Sequence, residues 1–396
     1  MNKLHDEYKE MFILSVAAIF LGVIVGIIDT VFGRVLIAIT EFREGREFYL
    51  LPFLSLAGLL IVFLYTRYGK NSIKGMSLVF NKAHGEKEEI PKRLVPLVMI
   101  TTWVTHLFGG SAGREGVAVQ IGGTIGNVIG RKIGIDRKLF IITGMAAGFS
   151  GLFQTPIAAI FFALEVLVVG QLEYKALLSS IIAAFIASVT SHTLGLEKFS
   201  VILNTKVDLN AEFIVKLVII GIIFGLVGSL FALFLGKAKL FFADKIKSPM
   251  KRIFIMGIAL SVILLLLHKG RYSGLGTNLI SMSFSGNEIY LYDWAFKLIL
   301  TVFTLAAGFQ GGEVTPLFSI GAALGVVLAT NLNMPIELIA ALGYASVFGS
   351  ATNTLLAPIF IGAEVFGFEY MPYFVICCAL AYIFNGNKSI YGAQKK

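Results

Sequence analysis

Stretch after stretch of this chain runs for the length of a bilayer-crossing helix with almost no charge: Met11 to Ile28, Leu50 to Tyr65, Leu177 to Val189, Phe213 to Leu235 and Ile253 to Leu267. About 20 apolar residues cross the hydrocarbon core as an α-helix, and these runs approach or exceed that length. A chain built this way belongs in a bilayer. Its composition agrees, with 57% apolar and only 14% charged residues and a mean hydropathy of +0.84, well outside the ordinary soluble range. The expected fold class is an all-α polytopic membrane protein with about ten to fourteen crossings or partial crossings. The first run is longer than the roughly 7 to 15 apolar residues of a signal peptide and no small-residue cleavage site follows it, so it is expected to remain in the mature protein.

The net charge of +9 does not point to nucleic acid, because the basic residues sit in short loops between apolar runs. Arg67 to Arg93 carries seven Lys or Arg, Lys237 to Arg252 carries six, and Arg131, Lys132, Arg137 and Lys138 mark a third loop. By the positive-inside rule these loops face the cytoplasm. Cys377 and Cys378 are adjacent in an apolar stretch, a spacing that fits neither a disulfide framework nor a zinc site. Packing or lipid contact is their expected role.

Set against itself at an offset of 199 residues, the chain matches without gaps in several blocks. Gly109, Gly113, Ile121, Gly122 and Gly126 fall on Gly308, Gly312, Ile320, Gly321 and Gly325. Between Gly144 and Val166, nine of 23 positions match, among them Phe149/Phe348, Thr155/Thr354, Phe161/Phe360 and Glu165/Glu364. Apolar segments match easily by chance, so the Glu, Thr and Phe pairs carry the argument for a duplication into halves 1–196 and 197–396. The halves also run in opposite senses. Leu50 to Tyr65 runs into a basic loop, whereas its counterpart Pro249 to Leu264 begins just after one. Inverted repeats of this kind place a substrate site near the midplane, between broken helices.

Both halves contain such breaks. Gly109-Gly110-Ser111-Ala112-Gly113-Arg114-Glu115-Gly116-Val117 precedes an apolar run in the first, and Gly308-Phe309-Gln310-Gly311-Gly312-Glu313-Val314-Thr315-Pro316 in the second. Glycines let backbone amides approach a ligand, proline suits a first helical turn, and helix starts bind anions. Irregular backbone at membrane depth lines a cavity or lies buried in protein. Glu115 stands at one of these starts. Ionised, it competes with any anion for the amides; protonated, it loses that attraction and leaves, which makes it a natural proton-sensitive gate. Ser72 to Ser77 forms a third glycine-containing start, with Gly274 opposite Gly75. Glu165 and Glu364 lie within apolar stretches and are functional candidates for that reason; their recurrence in both halves argues for a structural role instead, such as capping a neighbouring loop.

Gly113-Arg114-Glu115-Gly116 closely resembles the hallmark of the CLC family of anion channels and proton-coupled antiporters. Ser273 to Ile280, the Gly-Gly-x-x-x-Pro run at 311 to 316, and Lys388-Ser389-Ile390-Tyr391 follow in that family's order. The resemblance spans nearly the whole chain and implies a homodimer with an inverted-repeat fold of broken and partial membrane helices and one pathway per subunit. Four departures from the chloride-handling pattern narrow it. Met76 stands where those members have serine, Val117 where they have proline, Val314 and Thr315 where the third motif differs, and Val166 where transporting members carry an inner proton glutamate. Together these resemble the fluoride/proton antiporter branch, often called CLC-F.

That resemblance implies Glu115 as the proton-carrying gate and an anion path along Gly75, Met76, Gly113, Arg114, Gly116, Val117, Gly312, Val314, Thr315 and Tyr391. The Thr315 hydroxyl is suited to hold the swung carboxylate or an anion. It implies fluoride and protons as the transported species and a plasma or inner membrane location with both termini cytoplasmic. Fluoride that enters as the acid is trapped by dissociation in a near-neutral cytoplasm, which gives an exporter its purpose. No cofactor, metal site, nucleotide motif or enzymatic activity is expected. The nearest alternative is a chloride antiporter or channel of the same family. A distant one is an intramembrane serine hydrolase, from Gly-x-Ser-x-Gly at 109 to 113, but that elbow follows a strand, and Ser111 follows an apolar helical run with Gln310 opposite it in the repeat. His106, His192 and His268 lack ligand spacing and read as packing or loop residues; His5 and His84 sit in polar segments, and Glu86, Glu88 and Glu89 read as a solvated loop face.

Overall fold

A computed structural model describes residues 2–134, 136–203, 205 and 210–396, with side chains from residue 9 onward; the side chain of His5 lies outside the described residues. Apolar runs with intact backbone pairing fold into helices because lipid offers the backbone no other partner. The first half contains α1 (Asn2–Arg43), α2 (Glu47–Leu50), α3 (Leu54–Leu64), α4 (Met76–Ala83), α5 (Leu94–Leu107), α6 (Glu115–Ile133), α7 (Arg137–Phe153), α8 (Pro156–Glu165) and α9 (Leu177–Thr193). The second contains α10 (Ala211–Lys245), α11 (Pro249–Leu266), α12 (Thr277–Phe284), α13 (Asp293–Ala307), α14 (Val314–Leu332), α15 (Ile336–Thr352), α16 (Leu356–Phe366) and α17 (Met371–Ile383). Among the described residues six helical segments are long and apolar enough to cross a membrane, and five more are apolar but shorter. The fold is therefore a polytopic all-α membrane bundle with broken and partial helices.

Residues 199 apart meet each other at the centre of the molecule. Gly113 N donates to Gly312 O at 2.5 Å and Gly312 N donates to Gly113 O at 2.7 Å, an antiparallel bridge between equivalent positions. Phe161 stacks on Phe360 with ring centroids 4.6 Å apart. Ser55 faces Gly257, and Gly58 faces Ile253, so α3 and α11 pack antiparallel. Contacts between equivalent residues, running in opposite directions, are those of an inverted repeat about a pseudo-two-fold axis.

The recurrent acids also sit on this axis. Glu165 Oε1 accepts from Ala357 N at 2.8 Å, and its Oε2 accepts from Leu355 N and Leu356 N. Glu364 reciprocates, accepting from Ile157 N and Ala158 N. Each glutamate, near the end of one helix, satisfies the orphan N–H groups at the start of its counterpart. The capping role expected from their recurrence is what the geometry gives.

The matched glycines have a packing cause. A Cβ at Gly122 would lie 1.9 Å from Gly144 O, and one at Gly321 would lie 2.0 Å from Gly343 O. Only glycine lets α6 meet α7, and α14 meet α15, backbone to backbone, as small residues do at membrane helix crossings. The cysteines are buried and unbridged; Cys377 packs toward Leu217 O and Cys378 toward Ser346 Oγ, so of the two expected roles packing applies. At the basic loops Lys74 pairs with Glu88 at 2.7 Å, and Lys82 and Arg137 both reach Glu89. The Lys74 ammonium holds the exposed Glu88 carboxyl below its ordinary range, and Lys82 does the same for Glu89.

Candidate anion site

Glu115 opens α6 and is fully buried. Its carboxylate does not stay with its own helix. Oε2 accepts from Thr315 N at 3.1 Å and from Thr315 Oγ1 at 2.5 Å, and Arg114 N lies 3.4 Å away. Val314 and Thr315 are the first residues of α14, so the acid of one half is bound at the helix start of the other. A carboxylate oxygen there occupies the place where partial positive charge and free N–H groups favour an anion. The second oxygen, Oε1, is buried without a hydrogen bond, and Arg114 Nε approaches it only to 3.5 Å.

The Gly113–Gly312 bridge holds the two helix starts in this register. It needs close approach, since a Cβ at Gly113 would lie 2.8 Å from Pro316 Cδ. Gly116 faces the opposite acid, with a Cβ there placed 3.5 Å from Glu313 Oε2. Each helix start therefore meets a glutamate from the other half. Val117 and Val314, beside Gly116 and Glu313 in sequence, are buried as well.

On the side of the basic loops a cavity of about 320 Å³ leads toward this contact. Gly75, Met76 and Tyr391 line it, together with Gln120, Lys239, Arg252 and Glu313. Gly75 turns the chain into α4 at φ +51, a conformation suited to glycine, with Gln120 Oε1 only 3.1 Å from where a Cβ would sit. Tyr391 packs on Phe80 with centroids 5.2 Å apart, and its hydroxyl is buried without a partner. That hydroxyl is a donor available to a ligand.

The residues expected along the anion path thus divide. Gly75, Met76 and Tyr391 face the cavity, whereas Gly113, Arg114, Glu115, Gly116, Val117, Gly312, Val314 and Thr315 are not among its walls. At the two helix starts stand the Glu115–Thr315 contact and the Gly113–Gly312 bridge. Glu313 and Gln120 were missed from the sequence. Glu313 stands opposite Arg114 at the offset of 199, and that exchange of a base for an acid was the available signal; Gln120 carried none. The Ser111 hydroxyl is held by Lys297 Nζ at 2.9 Å and Thr301 Oγ1 at 2.8 Å, so its side chain anchors the loop. His106 is buried with Nε2 3.4 Å from Gly113 O, His84 Nε2 meets Ala393 O, His192 is exposed, and His268 stacks on Tyr290. None converges with another histidine, and among the described residues no cluster fit for a metal occurs.

The profile of the family "Voltage gated chloride channel" matches residues 57–386. A "Chloride/fluoride channel protein" of Pseudomonas syringae pv. tomato is 36% identical over 367 residues, covering 90% of this chain and 80% of that protein. Among solved structures, a CLC-type fluoride/proton antiporter superposes with a TM-score of 0.96 at 54% identity, covering 98% of this chain and 99% of the other. A slow cyanobacterial Cl⁻/H⁺ antiporter superposes at 0.83 with 19% identity over 96% of each chain, a likeness of fold alone.

Proposed function

The chain belongs to the voltage gated chloride channel (CLC) family, and from that premise we propose that it is a membrane antiporter, not an enzyme, that exports cytoplasmic fluoride in exchange for entering protons. The observation that carries the reading is the Glu115 carboxylate bound at Thr315, since a group that occupies an anion's place and also takes up a proton couples the two species. Protonation removes the charge that holds it at the start of α14. An anion then takes the vacated donors, and the return of the carboxylate expels it.

The anion path in this reading enters from the cavity at Gly75, Met76 and Tyr391 and crosses the helix starts at Gly113, Arg114, Gly116, Val117, Gly312, Val314 and Thr315. Likeness to a fluoride/proton antiporter at 54% identity and the absence of a serine hydroxyl at Met76 favour fluoride. The basic loops support a cytoplasmic cavity face, and the His84–Ala393 contact supports a carboxyl end on the same side; we place the amino end there too, in a plasma or inner membrane. The repeat units are 1–196 and 197–396, and two chains pair as a homodimer with a pathway in each.

The test is fluoride and chloride release from proteoliposomes, followed by electrode with and without a proton gradient. Fluoride efflux driven by the gradient, with chloride moving far more slowly, is the expected result. Chloride moving as readily as fluoride would return the protein to the chloride branch, and flux indifferent to the gradient would make it a channel.

A further inference from the structure

On the face opposite the basic loops, a second cavity of about 320 Å³ opens between the end of α1 and the start of α12. Its wall repeats that of the first at the offset of 199. Ser273, Leu275 and Gly276 stand where Lys74, Met76 and Ser77 stand, and Thr40 stands where Lys239 does. The inward mouth therefore has an outward counterpart built from the equivalent parts of the other half.

Two side chains in this outer wall each keep a polar atom without a hydrogen bond. Arg43 is 5% exposed and donates Nη1 to His106 O at 2.6 Å, while its Nε makes no hydrogen bond. Ser273 is 4% exposed and its Oγ makes none either. Gly274, at φ +61, makes room for the guanidinium, since a Cβ there would lie 2.6 Å from Nη2. Glu44 and Glu47 at the rim are near enough to act on the Arg43 charge, yet among the described residues no carboxylate pairs with it.

The loop that carries Ser273 is fixed in place. Lys297 is fully buried and donates Nζ to Tyr272 O, Gly274 O and Ser111 Oγ at 3.1, 2.7 and 2.9 Å. Ala112 N donates to Gly274 O at 3.2 Å, which ties the same loop to the segment leading into Glu115. Buried donors left unmade cost free energy until a ligand completes them. A guanidinium with no carboxylate partner, a hydroxyl without a hydrogen bond and a helix start together select negative charge, and the two rim glutamates disfavour a multiply charged species.

We propose that this cavity is an outer docking site for a small monovalent anion, with Arg43 Nε and Ser273 Oγ as its donors, where the transported anion rests on the far side of the Glu115 gate. The identity of the anion rests on the antiport reading; the site itself does not. The main test is Ser273→Ala, which deletes a hydroxyl that bonds to nothing in the protein, beside Arg43→Gln, in proteoliposomes of one orientation. Both variants raise the half-saturating fluoride concentration on the outer side, by roughly fivefold for the serine, what one net hydrogen bond contributes. Half-saturation on the basic-loop side and the proton-to-fluoride ratio stay as they were. An equal shift on both faces, or none, overturns the proposal. Bromide soaked into crystals of the unmodified protein gives anomalous density beside Arg43 Nε that Arg43→Gln removes, and its absence from the unmodified protein also overturns it. Bromide bound at Arg43 in a protein that moves neither fluoride nor chloride keeps the site and sinks the antiport reading instead.

Discussion

The starts of α6 and α14 are equivalent by the repeat and opposite in chemistry. At the offset of 199, Glu115 faces Val314 in register, and Arg114 faces Glu313. Elsewhere the halves agree: Glu165 and Glu364 cap each other's helices, and Gly122 and Gly321 make the same backbone contact. Positions that hold the bundle together are thus kept in duplicate, because the axis presents them with the same neighbours. Those at the anion site have diverged. One carboxylate, Glu115, is bound by the other half's helix start, while its counterpart in register, Val314, carries no charge; in the proposed mechanism that difference makes the pair of helix starts sensitive to protons.

The comparison is broken most severely by Glu115→Gln. A neutral amide of the same shape neither carries the proton nor competes as an anion, so fluoride-driven proton uptake in proteoliposomes is expected to vanish; uptake at the unmodified rate would remove Glu115 from the mechanism. The glycine mates should behave alike. Gly122→Ala and Gly321→Ala each drive a methyl into a backbone carbonyl, at a cost at or above the ~3 kcal/mol upper end usual for overpacking. Thermal unfolding in detergent would show matched losses, and a large effect from only one would mean that the two packings are not equivalent.

The capping acids should differ in degree. Glu165→Ala strands three backbone N–H groups and Glu364→Ala strands two, so the first is expected to destabilise by about 2–3 kcal/mol and the second by about 1–2 kcal/mol. A reversed order in the same unfolding measurement would contradict the reciprocal-cap account. The smallest effect belongs to the basic loop. Glu88→Gln breaks an exposed pair with Lys74, an interaction that solvent screens, and the unfolding midpoint at pH 7 should not move. Because Lys74 holds the Glu88 carboxyl low, any contribution of this pair is present above the ordinary carboxylate range and is lost as pH falls from there through the lowered titration of the folded protein.

Much of this was legible from residues in order. Helix-length apolar runs, the glycine matches and the inversion of the basic loops all report local periodicity or composition, which a sequence displays directly. The Glu165/Glu364 pair was legible as structural because recurrence is itself a positional signal. Glu115 stood out as an acid at a glycine-rich break in an apolar chain. The partners of these residues were harder to see. Thr315 was named as a hydroxyl able to hold the carboxylate, but whether Glu115 would lie on its own helix start or on the opposite one depends on a contact across 200 positions. Arg43 and Lys297 left no trace as a pair, since they approach one loop from separate helices, α1 and α13, and share no motif.

Sequence alone determined that the chain is a membrane-embedded, duplicated and inverted helical bundle, with an acid, Glu115, at a register that only one of two equivalent breaks keeps. Lipid leaves the backbone only helices to form, and duplication leaves its period in the residues. Tertiary structure decided where that acid points, which of the residues expected along the path line the cavity on the basic-loop side, and which buried donors are left unmade. Those outcomes follow from how the halves meet about their axis, and the contacts made there join residues that no local pattern connects.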